Sequence, residues 1–311
     1  MPIMGLGTWQ STPEEIDTAL DAALEAGYRH IDTAFMYFNE TSIGNALKRW
    51  FDSGKLNRED VFITTKLPIY GNRPQDVPKF VDRSLRALQL DYLDCYLIHG
   101  PIGVNMPEDE KDLFPMKDGK LDIDMTTDLV GIWNAMEDEV DAGRIRTIGV
   151  SNFNEEQIRR LNLGARKYKV AVNQVELHAE FQQKAMRKFC SRHRIVIMAY
   201  GPLGSPGRNP ALGGNPPPSL LENPIVTKIA ERHSVTPAQV LLHHIAQKGI
   251  AVIPKSVTPH RIQSNREIFH FTLSPAEYRA LDGLDKGPEG RSFSMERIPG
   301  VKDHPEFPLK E

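Results

Sequence analysis

The chain has 311 residues, 40% hydrophobic and 25% charged, a balance that suits a globular protein able to bury a core without disulfides. Its formal charge of −3 is spread along the sequence, which argues against a nucleic-acid or membrane-surface partner. Met1-Pro2-Ile3-Met4-Gly5 has no basic region and no apolar run is long enough to span a bilayer, so neither a secretory signal nor a membrane segment is expected.

Short apolar runs recur along the chain with helical segments between them. They read as strands at Met4–Thr8, Arg29–Thr33, Val61–Lys66, Leu93–His99, Arg146–Ser151, Ala171–Leu177, Ile195–Tyr200 and Ile250–Pro254. Near-continuous apolarity, as in Val61-Phe62-Ile63, suits parallel strands covered on both faces. Thr12-Pro13-Glu14-Glu15 reads as a capping box with proline at the first helical position, followed by the stripe Ile16, Ala19, Leu20, Ala23, Leu24 and a stop at Gly27. Further stripes run through Phe80, Leu85, Leu88 and through Leu129, Ile132, Trp133, Met136. Thr236-Pro237-Ala238-Gln239 and Ser274-Pro275-Ala276-Glu277 repeat the start signal. Cys95 falls in a predicted strand and Cys190 in a predicted helix, both buried; a reduced, cytoplasmic protein is expected.

Eight strands alternating with helices in a single domain predict an α/β fold of the (β/α)8 TIM-barrel class, with a doubly wound open sheet as the rival. Three stretches are too long for routine connections: 100–126, 201–219 and a tail at 286–311. In a barrel the first two rise from the rim formed by the carboxyl ends of the strands, where barrel chemistry is done.

Polar residues cluster at those strand ends. Asp32 follows strand two with Tyr37 five residues on, Lys66 ends strand three and His99 ends strand four. Ser151-Asn152, Gln174, Tyr200 and Lys255-Ser256 occupy the corresponding places later in the chain. Taken singly, each reads as a packed or ion-paired side chain. Convergence on one rim changes that reading, because burying so many polar groups without a role is costly. Carbonyl reduction suits Asp, Tyr, Lys and His together. Hydride delivery to carbon leaves charge on oxygen, and a positioned acid must supply a proton. A tyrosine holds its proton at neutral pH, and a neighbouring ammonium is expected to lower its pKa and ease release. Asp32 would keep Lys66 charged, and a neutral His99 can donate to the same oxygen.

Gly5-Leu6-Gly7-Thr8-Trp9, Gly27-Tyr28-Arg29-His30-Ile31-Asp32-Thr33-Ala34, Leu97-Ile98-His99, Gly149-Val150-Ser151-Asn152-Phe153, Asn173-Gln174-Val175-Glu176 and Ile253-Pro254-Lys255-Ser256 together resemble the signatures of the aldo-keto reductase superfamily, in order. The resemblance is greatest to its aldose reductase and aldehyde reductase branch. It implies NADPH-dependent reduction of an aldehyde or ketone, with Asp32, Tyr37, Lys66 and His99 as a catalytic tetrad. Ser151, Asn152 and Gln174 would hold the nicotinamide carboxamide, Tyr200 would stack on its ring, and Leu203 and Ser205 would cover the pyrophosphate. Thr8 and Trp9 would also border the cofactor. Lys255, Ser256, Thr258 and Arg261 would grip the adenosine 2′-phosphate, with Asn265 near the adenine. Physics supports that group, since Thr258-Pro259 starts a short helix and Lys255 and Arg261 can pair with a dianion. Trp9, Met36, Tyr37, His99 and Phe114 would line the substrate pocket, and Phe293 and Met295 of the tail would join them.

The sequence departs from that family's pattern in several places. Gly100 follows the histidine where tryptophan is usual, Pro68 and Pro210 stand near two other pocket tryptophans, and Ser264 replaces an acidic residue beside the adenine. A wider, less aromatic pocket is expected. The chain starts at what reads as the first barrel strand, without the short hairpin that commonly precedes it. A monomer without metal is expected, since no oligomerisation stripe or metal-ligand spacing is visible and His243-His244 read as packing residues. Three other readings stay open: a regulatory NADPH-binding barrel, a lyase that uses Lys66 as a Schiff base, and a Rossmann dehydrogenase, which lacks the third glycine of its fingerprint.

Overall fold

The computed structural model describes residues 1–207 and 218–309. Ten strands occur among them: β1 (Leu6–Gly7), β2 (His30–Asp32), β3 (Phe62–Leu67), β4 (Cys95–Ile98), β5 (Met116–Lys117), β6 (Lys120–Leu121), β7 (Ile148–Ser151), β8 (Val172–Glu176), β9 (Val196–Tyr200) and β10 (Ala251–Val252). All but β5 and β6 form one parallel sheet in the order β1-β2-β3-β4-β7-β8-β9-β10. Its two edges meet. Gly5 N donates to Val252 O (2.9 Å), Val252 N to Ile3 O (2.8 Å) and Gly7 N to Pro254 O (3.1 Å), so the sheet closes into a barrel. The seam needs glycine at position 7, where a Cβ would lie 2.7 Å from Ile253 O. The eight expected strands are all present, mostly shorter than expected because pairing ends where the chain turns into the rim loops; β3 runs one residue further, to Leu67.

Ten helices are described: α1 (Pro13–Glu25), α2 (Glu40–Asp52), α3 (Val77–Leu88), α4 (Leu129–Asp141), α5 (Glu155–Gly164), α6 (Lys184–His193), α7 (Pro224–His233), α8 (Pro237–Ala246), α9 (Pro259–Arg266) and α10 (Pro275–Asp282). The capping boxes at Thr12, Thr236 and Ser274 are made, and each satisfies backbone N–H groups that the helix cannot. Every residue of the three predicted stripes is buried, against the outside of the barrel. Inside it, Cys95 and Leu97 of β4 pack with Val172, Met198, Ala251 and Ile253, while the alternate residues Tyr96 and Ile98 face the helices. Cys95 and Cys190 are free and buried.

The stretch 100–126, expected as loop, contains the β5–β6 hairpin, turned by Asp118 (φ 52°) and Gly119 (φ 76°). An Asp-Gly pair is the residue combination such a turn requires. The tail is ordered by short turns and by His304, which is fully buried, accepts from Gly103 N (3.2 Å) and lies 3.0 Å from Asp124 O. It thereby ties the chain end to the long loop after β4.

Three imidazoles, His30 and His244 buried and His99 half-buried at the cleft, make a testable contribution to stability. Burial lowers His30 and His99 to about 3 and His244 to about 4, with Lys66 adding to the first two and Lys248 to the third. These rings stay neutral in the folded chain but take protons in the unfolded chain below about pH 6.5. Their stabilisation is therefore complete above that pH and lost as pH falls toward 4, at up to about 1.4 kcal/mol per pH unit for each ring. Glu40, raised by burial to about 7, works oppositely and offsets about one of them between pH 7 and 4.5. Urea midpoints should fall steadily from pH 6.5 to 4.5; a flat series would contradict this account.

Candidate active site

Beyond β2 the chain makes a single tight turn, Phe35–Tyr37, before entering α2. Asn39 fixes that turn by donating to Thr8 O (2.8 Å) and accepting from Thr33 Oγ1 (2.9 Å), which ties the end of β1 to the loop after β2. Tyr37 is thereby held over the barrel mouth. Beneath it lies Lys66 of β3, fully buried, with Nζ donating to Asp32 Oδ1 (2.8 Å) and Thr33 O (2.8 Å), and to Tyr37 Oη at 3.4 Å. His99, one residue past β4, sets its ring edge-on to Tyr37, with centroids 5.6 Å apart. Its Nδ1 is buried without a hydrogen-bond partner among the described residues. Four groups separated by up to 67 positions in sequence thus meet around one phenol.

Burial opposes charge on Lys66, yet Asp32 and the Tyr37 phenol hold its ammonium above the ordinary lysine value. The expected lowering of Tyr37 by Lys66 is outweighed. Burial is the larger effect and leaves the phenol above its usual pKa, while the ammonium pulls the other way. Tyr37 consequently keeps its proton, and the aid from Lys66 falls on the phenolate left after transfer. Burial first, and Lys66 second, hold His99 neutral down to about pH 3.

Around this centre, Gln174 of β8 donates to Asp32 Oδ2 (2.6 Å) and its main-chain carbonyl accepts from Asn152 N (2.9 Å). Asn152 sits at φ 63° and is clamped, donating to His99 O (3.1 Å) and accepting from Tyr200 Oη (2.9 Å). Ser151 accepts from the same amide at 3.2 Å.

A cleft of about 1350 Å³ opens above these residues, enough for a dinucleotide and a small substrate together. Thr8, Trp9, Asp32, Met36, Tyr37 and His99 line it, as do Phe114, Ser151, Asn152, Gln174 and Tyr200. Leu203, Ser205, Lys255, Ser256, Thr258, Arg261 and Asn265 line its far end, so every predicted site residue except Lys66 borders one cavity. Lys66 lies underneath. At the far end, Thr258 precedes α9 without capping it through its side chain, unlike the threonines that start α1 and α8. Lys255 and Arg261 are exposed and form no ion pair among the described residues. Gly100 leaves room near the histidine, because a Cβ there would meet only Ile69 Cγ2, at 3.8 Å.

A sequence model of the Aldo/keto reductase family matches residues 3–286. The chain belongs to the aldo/keto reductase family. Prostaglandin F synthase 2 of Bos taurus is 38% identical, the match covering 100% of this chain and 95% of that protein. Aldo-keto reductase family 1 member C1 of Homo sapiens is 40% identical over 98% of this chain and 94% of its own. Among solved structures, the aldose reductase of Schistosoma japonicum superposes with a TM-score of 0.89 at 39% identity, covering 100% of this chain and 96% of that one. This aldo/keto reductase is thus an oxidoreductase barrel, of a family that reduces small-molecule carbonyl compounds with nicotinamide cofactors.

The tail contributes more to the cleft of this aldo/keto reductase than sequence reading found. Phe293 and Met295 line it as expected, but so do Arg297, Ile298, Pro299 and Phe307. A Pro-rich, aperiodic tail carrying aromatic residues was the available signal. Pro210 lies outside the described residues, as does the middle of the 201–219 stretch. No described helix is long and apolar enough to cross a membrane.

Proposed function

We propose that this chain reduces an aldehyde or ketone to the alcohol with NADPH, with Tyr37 as the acid and Lys66, Asp32 and His99 as its partners. The observation that carries the reading is the phenol of Tyr37, 3.4 Å from a buried, carboxylate-paired ammonium and edge-on to a neutral imidazole, on the floor of a dinucleotide-sized cleft. The residues fit the cofactor. Nδ1 of His99 has no partner among the described residues, and the cations Lys255 and Arg261 form no ion pair among them and line the same cleft, suited to a phosphate.

When bound, the nicotinamide supplies a hydride to the substrate's carbonyl carbon. The carbonyl oxygen gains charge as this occurs and takes the Tyr37 proton. Lys66 stabilises the resulting phenolate, and Asp32 keeps the amine charged and aimed. His99 orients the carbonyl by donating from its neutral ring. Asn152, locked between His99 O and Tyr200, keeps the floor of the nicotinamide subsite rigid. A lyase using Lys66 as a nucleophile is disfavoured, because a Schiff base needs a neutral amine and this one is held charged. The free, buried cysteines support a cytoplasmic setting, and a monomer is the assembly we propose.

The test is NADPH oxidation, followed spectrophotometrically, across an aldehyde and ketone panel with NADH run in parallel. Turnover with NADPH supports the proposal; NADPH binding with no turnover on any carbonyl compound would favour a regulatory barrel. Arg261→Ala should raise KM for NADPH by roughly tenfold or more while leaving KM for NADH nearly unchanged, since only the former carries the 2′-phosphate. Equal loss with both cofactors would remove Arg261 from that role.

A further inference from the structure

Glu176 ends β8, is 1% exposed and borders the cleft, yet the chemistry above does not use it. Its carboxylate reaches across to the tail. Oε1 accepts from Ser292 N (2.7 Å), Oε2 accepts from Phe293 N (3.0 Å), and His178 Nε2 lies 3.0 Å from Oε1. Two successive main-chain N–H groups on the two oxygens of one carboxylate make a fixed fork, and charge on the acceptor strengthens both bonds. The fork sets where Phe293 goes. Its ring stands edge-on to Trp9 and to Tyr200, each 5.6 Å away, and so bridges the loop after β1 and the end of β9. Upstream the tail is held where Gly290 presses on Glu180 O, which a Cβ would approach to 2.0 Å; downstream, buried His304 holds it. Between those anchors lie Met295 and Ile298, which wall the cleft.

We infer that Glu176 is a positioning residue that latches the tail over the cleft and, through Phe293, sets how tightly bulky apolar carbonyl compounds are held. The kinetic part rests on the proposed reductase reading. Glu176→Gln keeps the shape but turns an amide N–H toward one of the two backbone donors, which opens the fork. The expected result is an about tenfold weaker inhibition constant for 9-fluorenone competing with 4-nitrobenzaldehyde, with kcat on the small aldehyde within about twofold. Phe293→Ala should likewise weaken the 9-fluorenone constant, and the double variant should be no worse in that constant than the poorer single one. Ser292→Pro removes one donor from the tail side and leaves the barrel unchanged; Arg291 already has the extended backbone (ψ 126°) that a following proline requires. It keeps the test open should Glu176→Gln fail to fold.

A second readout needs no cofactor. Trypsin cleavage after Arg297 should accelerate in Glu176→Gln and Ser292→Pro relative to wild type. If wild type reduces 4-nitrobenzaldehyde but the variants keep the same 9-fluorenone constant, the latch is refuted and the reductase reading stands. If wild type reduces nothing, the reductase reading fails, and the trypsin rate alone decides the latch: acceleration supports it, an unchanged rate overturns it.

Discussion

Tyr37→Phe should lower turnover by about 10²- to 10⁴-fold while leaving NADPH affinity within about twofold, the range expected when a positioned acid is removed. The substitution deletes one oxygen and little else. The ring keeps its edge-on contact with His99, and Lys66 keeps Asp32 and Thr33 O as partners. Folding should therefore survive. Burial holds the phenol above its ordinary pKa, so wild-type turnover should show no loss of the acid form between pH 6 and 9. Stopped-flow hydride transfer and a fluorescence titration of NADPH would separate the chemical step from binding. Undiminished turnover in Tyr37→Phe would end the assignment.

Lys66→Met should be the most costly single change in stability. It leaves Asp32, only 2% exposed, as a carboxylate whose remaining side-chain partner is the Gln174 amide. Breaking one side of a buried pair costs about 3–5 kcal/mol, because the partner's charge stays out of water without compensation. Burial already holds the Asp32 pKa above its ordinary value against the pull of Lys66, and loss of the ammonium raises it further. The penalty should therefore grow as pH rises above about 4 and ease as pH falls, a dependence that urea unfolding at pH 5 and 8 would read. Adding Asp32→Asn should recover part of the loss by removing the stranded charge. Turnover should also fall by about 10²-fold, since the phenolate loses its neighbouring charge. A stability loss under about 1 kcal/mol would mean that water reaches the pair and that it is not a buried ion pair.

Much of the architecture is legible in the sequence alone. Helix starts at Thr12, Thr236 and Ser274 depend on bonds that span three residues, and the stripe from Ile16 to Leu24 on a period within one helix, so local sequence determines them. The same holds for the strand count and for the polar residues at strand ends, since each strand is a short apolar run between clear turn signals. Lys117-Asp118-Gly119-Lys120 carries a hairpin signal of the same local kind, inside the stretch 100–126 expected as loop.

Residue types and their order along the chain determined that Asp32, Tyr37, Lys66 and His99 are available at successive strand ends. Parallel pairing of β2 with β3 and of β3 with β4 decided that they meet, because it sets those strand ends side by side, and closure, which Gly7 permits at the β1–β10 seam, brings Ser151, Gln174 and Tyr200 to the same mouth. Closure also decided which influence governs the Tyr37 phenol. Proximity to Lys66 could be inferred from sequence, but depth of burial is a property of the assembled whole, and desolvation proved the larger effect. The path of the tail belongs to the same class: its course depends on contacts more than a hundred residues away, such as Glu176 with Ser292, which no local periodicity encodes.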